Sequence, residues 1–349
     1  MNSSQGKKPS SKLTLIYVAV IALVITGVAV YIAVQYDAIE VLSTIKNIDP
    51  IFVLLGISMI FLQLYSEAGC LKILFSLLGR KISFFSAAGY AGTDLLYSNI
   101  SPAQLAGLPA AGYSMFKDGI DASSSCNVLA IYSMCNRIAV VIVASVSVCI
   151  FPLLLNTGSA LFISLFIYGA IVNLCIVSIF AVALFAPAFA RRIIPGTVRF
   201  FSRFKIFHIT EAAVKKSVQS AEDYISASRI IRSSPLTVFA VLLICIVKRV
   251  INFSIVYFAY LAFGLRNESF VYIISVQSVL AVSSESVPIP GSAGVAENVF
   301  TILYSGVFGP RLYIPAMIVT RALNFLALLV VSGAHSLIYK FFGRRETKK

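Results

Sequence analysis

The chain has 349 residues, of which 59% are hydrophobic and 12% charged, and its mean hydropathy is +0.92. Soluble domains carry about 25% charged residues, so this composition excludes water as the main solvent and leaves no room for a large soluble domain. The net charge of +14 does not point to nucleic acid, because Lys and Arg fall between apolar runs rather than along one polar face.

Residues 1–12, MNSSQGKKPSSK, read as a polar, disordered tail. The uncharged run from Leu13 to Gln35 is long enough to cross a hydrocarbon core of about 30 Å and too long for the apolar stretch of a cleaved signal peptide. Further runs over 51–75, 122–154, 159–188, 236–264 and 312–340 bring the expectation to about six full spans, and so to an all-α, polytopic integral membrane protein. The stretches 84–101 and 270–286 are shorter and end in loops rich in Pro and Gly, so they read as re-entrant half helices. The domains expected are the tail 1–12, a first membrane half 13–189, a basic linker 190–235, a second membrane half 236–341 and a basic tail 342–349.

In the linker, Val214, Val218, Ala221 and Ile225 recur at helical spacing and Glu211 precedes Lys215 by one turn. An amphipathic helix on the cytoplasmic surface and a plain solvated connector both fit that pattern. With the N-terminus inside, the cytoplasmic side receives Lys7, Lys8, Lys12, Lys72, Arg80, Lys81, Lys117, the linker and the C-terminal tail, and only Lys46, Arg266 and Arg311 fall outside. The positive-inside rule therefore predicts a cell-membrane protein with both termini cytoplasmic. With Trp absent, interfacial anchoring falls to tyrosines such as Tyr31, Tyr36, Tyr257, Tyr260, Tyr304 and Tyr313.

Cys70, Cys126, Cys135, Cys149, Cys175 and Cys245 all lie in apolar stretches without C-x-x-C spacing, and His208 and His335 are far apart. Neither a disulfide framework nor a metal site is expected, and no cofactor. No nucleotide, zinc-peptidase or serine-nucleophile motif occurs in a fitting context, so self-contained catalysis is not expected.

The two halves share a plan. AAGYAGTDLLYSNISP leads through AQLAGLPAAG to a long span containing Arg137, and VQSVLAVSSESVPIPGSAG leads through VAENVF to a long span containing Arg321. Counting spans makes the two units enter from opposite sides, the inverted-repeat plan of many alternating-access transporters. Ordinary spans kinked by Pro and Gly are the alternative. The loop positions singled out are Pro102 and Gly107 in the first unit and Pro288, Pro290, Gly291 and Gly294 in the second.

Ionisable groups in a membrane need a partner or a task. Here the acids are Glu67, Asp94, Glu285 and Glu297, and the bases Arg137, Lys248, Arg249 and Arg321. Internal pairing is one reading. The other is a basic cavity in which Arg137, Lys248, Arg249 and Arg321 hold a lipid phosphate, while the acids balance charge or contact a headgroup amine. Neighbouring Lys248 and Arg249 project about 100° apart on a helix, so one acid cannot easily serve both. Glu297, in the first turn after the loop, reads either as a cap or as a proton or amine contact.

PIPGSAGVAEN, TRALNF with Arg321, LLGRKISFFSA, NISP and CNR with Arg137 together resemble the membrane region of lysylphosphatidylglycerol synthase, also called multiple peptide resistance factor. That family commonly has P-x-P-G-G-x-G-x-x-E where Ser292 here replaces the second Gly, and AQLAGLPAAG lacks the Gly-Gly pairs expected of the first loop. The resemblance implies a flippase-like domain moving aminoacylated or other phospholipids between leaflets. It equally allows a membrane component of phosphatidylglycerol lysyltransferase that acts with a separate soluble aminoacyltransferase, since few residues follow the last span. Membrane phospholipids are the expected partners, and a homo-oligomer is left open.

Overall fold

The computed structural model describes residues 43–156, 159–186, 191 and 211–343. The run Leu13–Gln35, the tail 1–12, much of the linker, His208 and the tail from residue 344 lie outside them. Among the described residues the architecture is helical: α1 (Pro50–Leu77), α2 (Phe84–Ile100), α3 (Gly107–Lys117), α4 (Ala122–Ile150), α5 (Ala160–Phe185), α6 (Glu211–Arg232), α7 (Pro235–Ala262), α8 (Phe270–Glu285), α9 (Val295–Phe308) and α10 (Tyr313–Phe342). All of them belong to one compact unit, Asp49–Lys349.

Helix starts follow the local chemistry. Asp49 caps α1 by accepting from Ile51 N at 2.9 Å with Pro50 in the first turn, and Ser83, Asp121, Ser159 and Ser269 cap α2, α4, α5 and α8 in the same way. Five helices, α1, α4, α5, α7 and α10, are long and apolar enough to cross a membrane. They coincide with five of the expected spans. The helix α5 shows why lipid is the solvent: only Phe162, Gly169, Asn173 and Leu184 are buried in it, and Ile171 and Leu174 are more than half exposed.

The helices pack as crossed pairs. The most extensive contact joins α1 to α7, α2 of the first half lies along α10 of the second, and α8 of the second lies along α4 of the first. Each short helix also folds back on its successor, α2 on α3 and α8 on α9. Where the two turns meet, Pro102 and Pro290 pair as an isolated antiparallel bridge. The linker helix α6 exists as the heptad-like spacing predicts, and its C-terminal half docks on α4, where Asn127 Nδ2 donates to Tyr224 O at 3.0 Å.

Within α10 the hydrogen-bonding widens to a π-helix over Ala322–Ala327, directly after Arg321. Such segments expose backbone groups, and here Phe325 O accepts from Asn99 Nδ2 of α2 at 2.9 Å.

Candidate functional site

The Pro-Gly turns and the helices around them enclose a cavity of about 180 Å³. Its wall is polar far beyond what a helix bundle in lipid requires. Charged groups come from α1 (Glu67), α2 (Asp94), α7 (Lys248 and Arg249), α8 (Glu285) and α10 (Arg321), and amides from Gln63, Asn136, Asn252, Gln277 and Asn324.

The acids and bases largely pair, each base with a different acid. Lys248 Nζ donates to Glu67 Oε2 at 2.6 Å, and both groups are almost wholly buried. The Tyr132 hydroxyl donates to the same Oε2 and accepts from Lys248. Arg249, one residue on and turned to another side of α7, instead reaches Glu285, its Nη1 lying 3.3 Å from both carboxylate oxygens. These are long contacts, weaker than a charge-assisted fork at about 2.7–2.9 Å. The Arg249 Nε is buried and has no hydrogen-bond partner among the described residues.

Arg321 braces the second turn. Its Nε donates to Glu297 Oε1 at 2.6 Å, its Nη1 to Gly291 O at 3.1 Å and its Nη2 to Ser292 O at 3.4 Å, while Glu297 Oε2 accepts from Gly294 N at 2.6 Å. Glu297 therefore caps α9 and anchors Arg321 at once. The turn itself needs unusual backbone: Gly291 and Gly294 have φ of +59° and +80°, and a Cβ on Gly291 would lie 2.5 Å from the Phe325 ring.

Two of the sequence candidates stand apart. Arg137 is buried but does not line the cavity, and its Nη1 reaches Asn173 Oδ1 at 3.4 Å, an amide that also bonds Gly169 O and Ser286 Oγ. Glu297 lies behind Arg321 rather than on the wall. Of the turn residues, Gly291 lines the cavity, whereas Gly107 is a packing position: a Cβ there would lie 2.1 Å from Asp94 Oδ1 and 2.0 Å from Ser98 Oγ. Among the described residues no ion pair joins Asp94 or Arg137 to an opposite charge.

Sequence reasoning missed Tyr132 and the amides of the wall. The signal was present, since Gln63, Asn136, Asn252 and Asn324 are amides inside otherwise apolar runs, where an unsatisfied polar group is costly. Tyr132 had no such mark among the many tyrosines. The described residues hold no group of His, Cys, Asp and Glu suited to a metal, and the described cysteines are free.

In comparison with known families, residues 17–332 match the lysylphosphatidylglycerol synthase TM region. The chain belongs to this family. A search of curated proteins finds no match. As a member of the lysylphosphatidylglycerol synthase TM region family with five apolar helices of spanning length, it is a multi-pass membrane protein related to lysylphosphatidylglycerol synthesis. The matched residues include both Pro-Gly turns and all six charged groups of the cavity wall.

Proposed function

We propose that this protein translocates an anionic or aminoacylated phospholipid, lysylphosphatidylglycerol or a relative, between the leaflets of the cell membrane. The observation that carries the reading is Arg249: its guanidinium sits on the wall of a polar cavity, holds Glu285 only loosely and keeps a buried Nε without a partner among the described residues. A planar cation with an unused donor fits one phosphate oxygen, and Lys248 and Arg321, each paired with its own acid, line the same cavity. The cavity suits a headgroup, with acyl chains remaining in the bilayer. Its acids, Glu67, Asp94 and Glu285, would favour a headgroup amine.

In this reading the region outside the described residues supplies a sixth span, both termini are cytoplasmic, and α2–α3 and α8–α9 are inverted re-entrant units. Support for the last point comes from the crossed packing of α2 on α10 and α8 on α4, and from the Pro102–Pro290 contact between the two turns.

The test is leaflet exchange of head-labelled phosphatidylglycerol and its lysylated form in vesicles carrying purified protein. Arg249→Gln should slow exchange about tenfold or more, the equivalent of one charge-assisted hydrogen bond, with folded protein retained. Equal exchange by wild type and empty vesicles for both lipids removes the reading. The family description favours a second reading, a membrane component of the synthase with a separate catalytic partner. Lysyl transfer to phosphatidylglycerol that requires this chain together with a co-purifying soluble aminoacyltransferase would establish it.

A further inference from the structure

The Glu67 carboxylate is fully buried, and its two oxygens are treated very differently. Oε2 receives both the Lys248 ammonium and the Tyr132 hydroxyl, whereas Oε1 is buried with no hydrogen-bond partner among the described residues. An orphaned carboxylate oxygen in a membrane interior is costly, and among the described residues no donor bonds to it. The missing donor has one candidate position. Asp94 of α2 faces Glu67 within hydrogen-bonding reach, is itself buried, and takes one weak contact from Ser98 Oγ to Oδ1 at 3.1 Å.

Charge points the same way. One ammonium, Lys248, stands against two carboxyl groups, and its bonds go to Glu67 and Tyr132. The remaining groups around the pair do not add a cation in contact with Asp94. They are the thiols Cys70 of α1 and Cys245 of α7, with Arg137 of α4 bonded to Asn173, and Arg249 of α7 paired with Glu285 of α8. Two buried carboxylates sharing one ammonium cannot both remain ionised at low cost, and a single proton between them removes both the excess charge and the orphaned oxygen.

We propose that Glu67 and Asp94 form a proton-binding carboxyl pair on the cavity wall, with the proton held between Glu67 Oε1 and the Asp94 carboxyl, and that loading and unloading this proton is coupled to lipid movement. The binding site stands on the geometry alone, and the coupling rests on the transport reading above. Loading takes one proton from cavity water and forms one carboxyl O–H bond, release returns it to water, and no electron moves. Both acids border the cavity, and Asp94, the less buried of the two, is the side from which the pair would exchange its proton. The headgroup would occupy the same cavity, so the proton state of the pair sets the charge it meets.

The experiment is infrared difference spectroscopy of the full chain in nanodiscs as pH is raised, read alongside leaflet exchange at the same pH values. The expected result is a protonated-carboxyl C=O band that titrates away in the wild type and is lost in Asp94→Asn, whose amide donates to Glu67 Oε1 without carrying a labile acid proton. No titrating band in the wild type, or an unchanged band in Asp94→Asn, overturns the site. Should that variant fail to fold, Glu67→Gln is read by the same criterion, because its amide then donates to Asp94. Exchange that varies with pH in the wild type but not in Asp94→Asn supports the coupling. Exchange indifferent to pH overturns the coupling, and a titrating band without any lipid exchange overturns the transport reading while the proton site stands.

Discussion

Lys248 and Glu67 are 4% and 1% exposed at their side chains, so removing either leaves the other as a buried, uncompensated charge. Lys248→Ala should therefore cost about 3–5 kcal/mol, read as a large fall in the thermal midpoint of the detergent-solubilised protein. The double replacement Glu67→Leu with Lys248→Met should recover part of that loss, because it removes both desolvation penalties together. At Ser292 the balance is finer. Its φ of +52° lies where a glycine is comfortable, and the family pattern has glycine there; the serine is held by its Oγ donating to Ser284 O at 2.7 Å. Ser292→Ala keeps the strained backbone and loses the bond, so a destabilisation of about 1 kcal/mol is expected, whereas Ser292→Gly exchanges the bond for relief and should lie close to wild type. A thermal melt separates the two.

At the scale of elements, close approach of backbones decides how the wall is built. A Cβ on Gly169 of α5 would come within 1.8 Å of Val282 O on α8. Gly169→Ala should push the two helices apart, break the bond of 3.2 Å from Asn173 Nδ2 to Ser286 Oγ, and lower stability by about 1–3 kcal/mol. The start of α4 carries a different dependence, on acidity. Burial works against the charge of Asp121, but the Ser124 backbone N–H at 2.8 Å and the nearby Arg80 guanidinium outweigh it and hold the carboxyl below its ordinary value of 3.8. A lowered folded-state pKa stabilises the fold above the ordinary value, and the contribution disappears as pH falls through the lowered one. Midpoints measured against pH should therefore drop more steeply on the acid side for wild type than for Asp121→Asn, and parallel curves would remove Asp121 as a contributor.

For the whole molecule, the sequence was most legible where composition alone decides. Five apolar runs became α1, α4, α5, α7 and α10 within a few residues of their expected ends, except α4, which stops at Ile150 because Pro152 begins a separate 3-10 turn. Pairing was not legible, because Glu67 and Lys248 are 181 positions apart and only the fold brings them together. Symmetry of plan also misleads: Arg137 and Arg321 occupy matching places in the two halves, yet one binds an amide behind the wall and the other clasps a turn facing the cavity. Arg137→Ala is accordingly expected to reduce the yield of folded protein, measured by gel filtration, more than it slows lipid exchange in whatever protein survives. The contact of Pro102 with Pro290 carries a mechanical consequence. Neither ring nitrogen can donate, so this junction between the two turns cannot lengthen into a ladder and stays an isolated bridge. Two turns touching at one such bridge have no ladder of backbone bonds to hold their register, so their alignment falls to the side chains and helices that flank them.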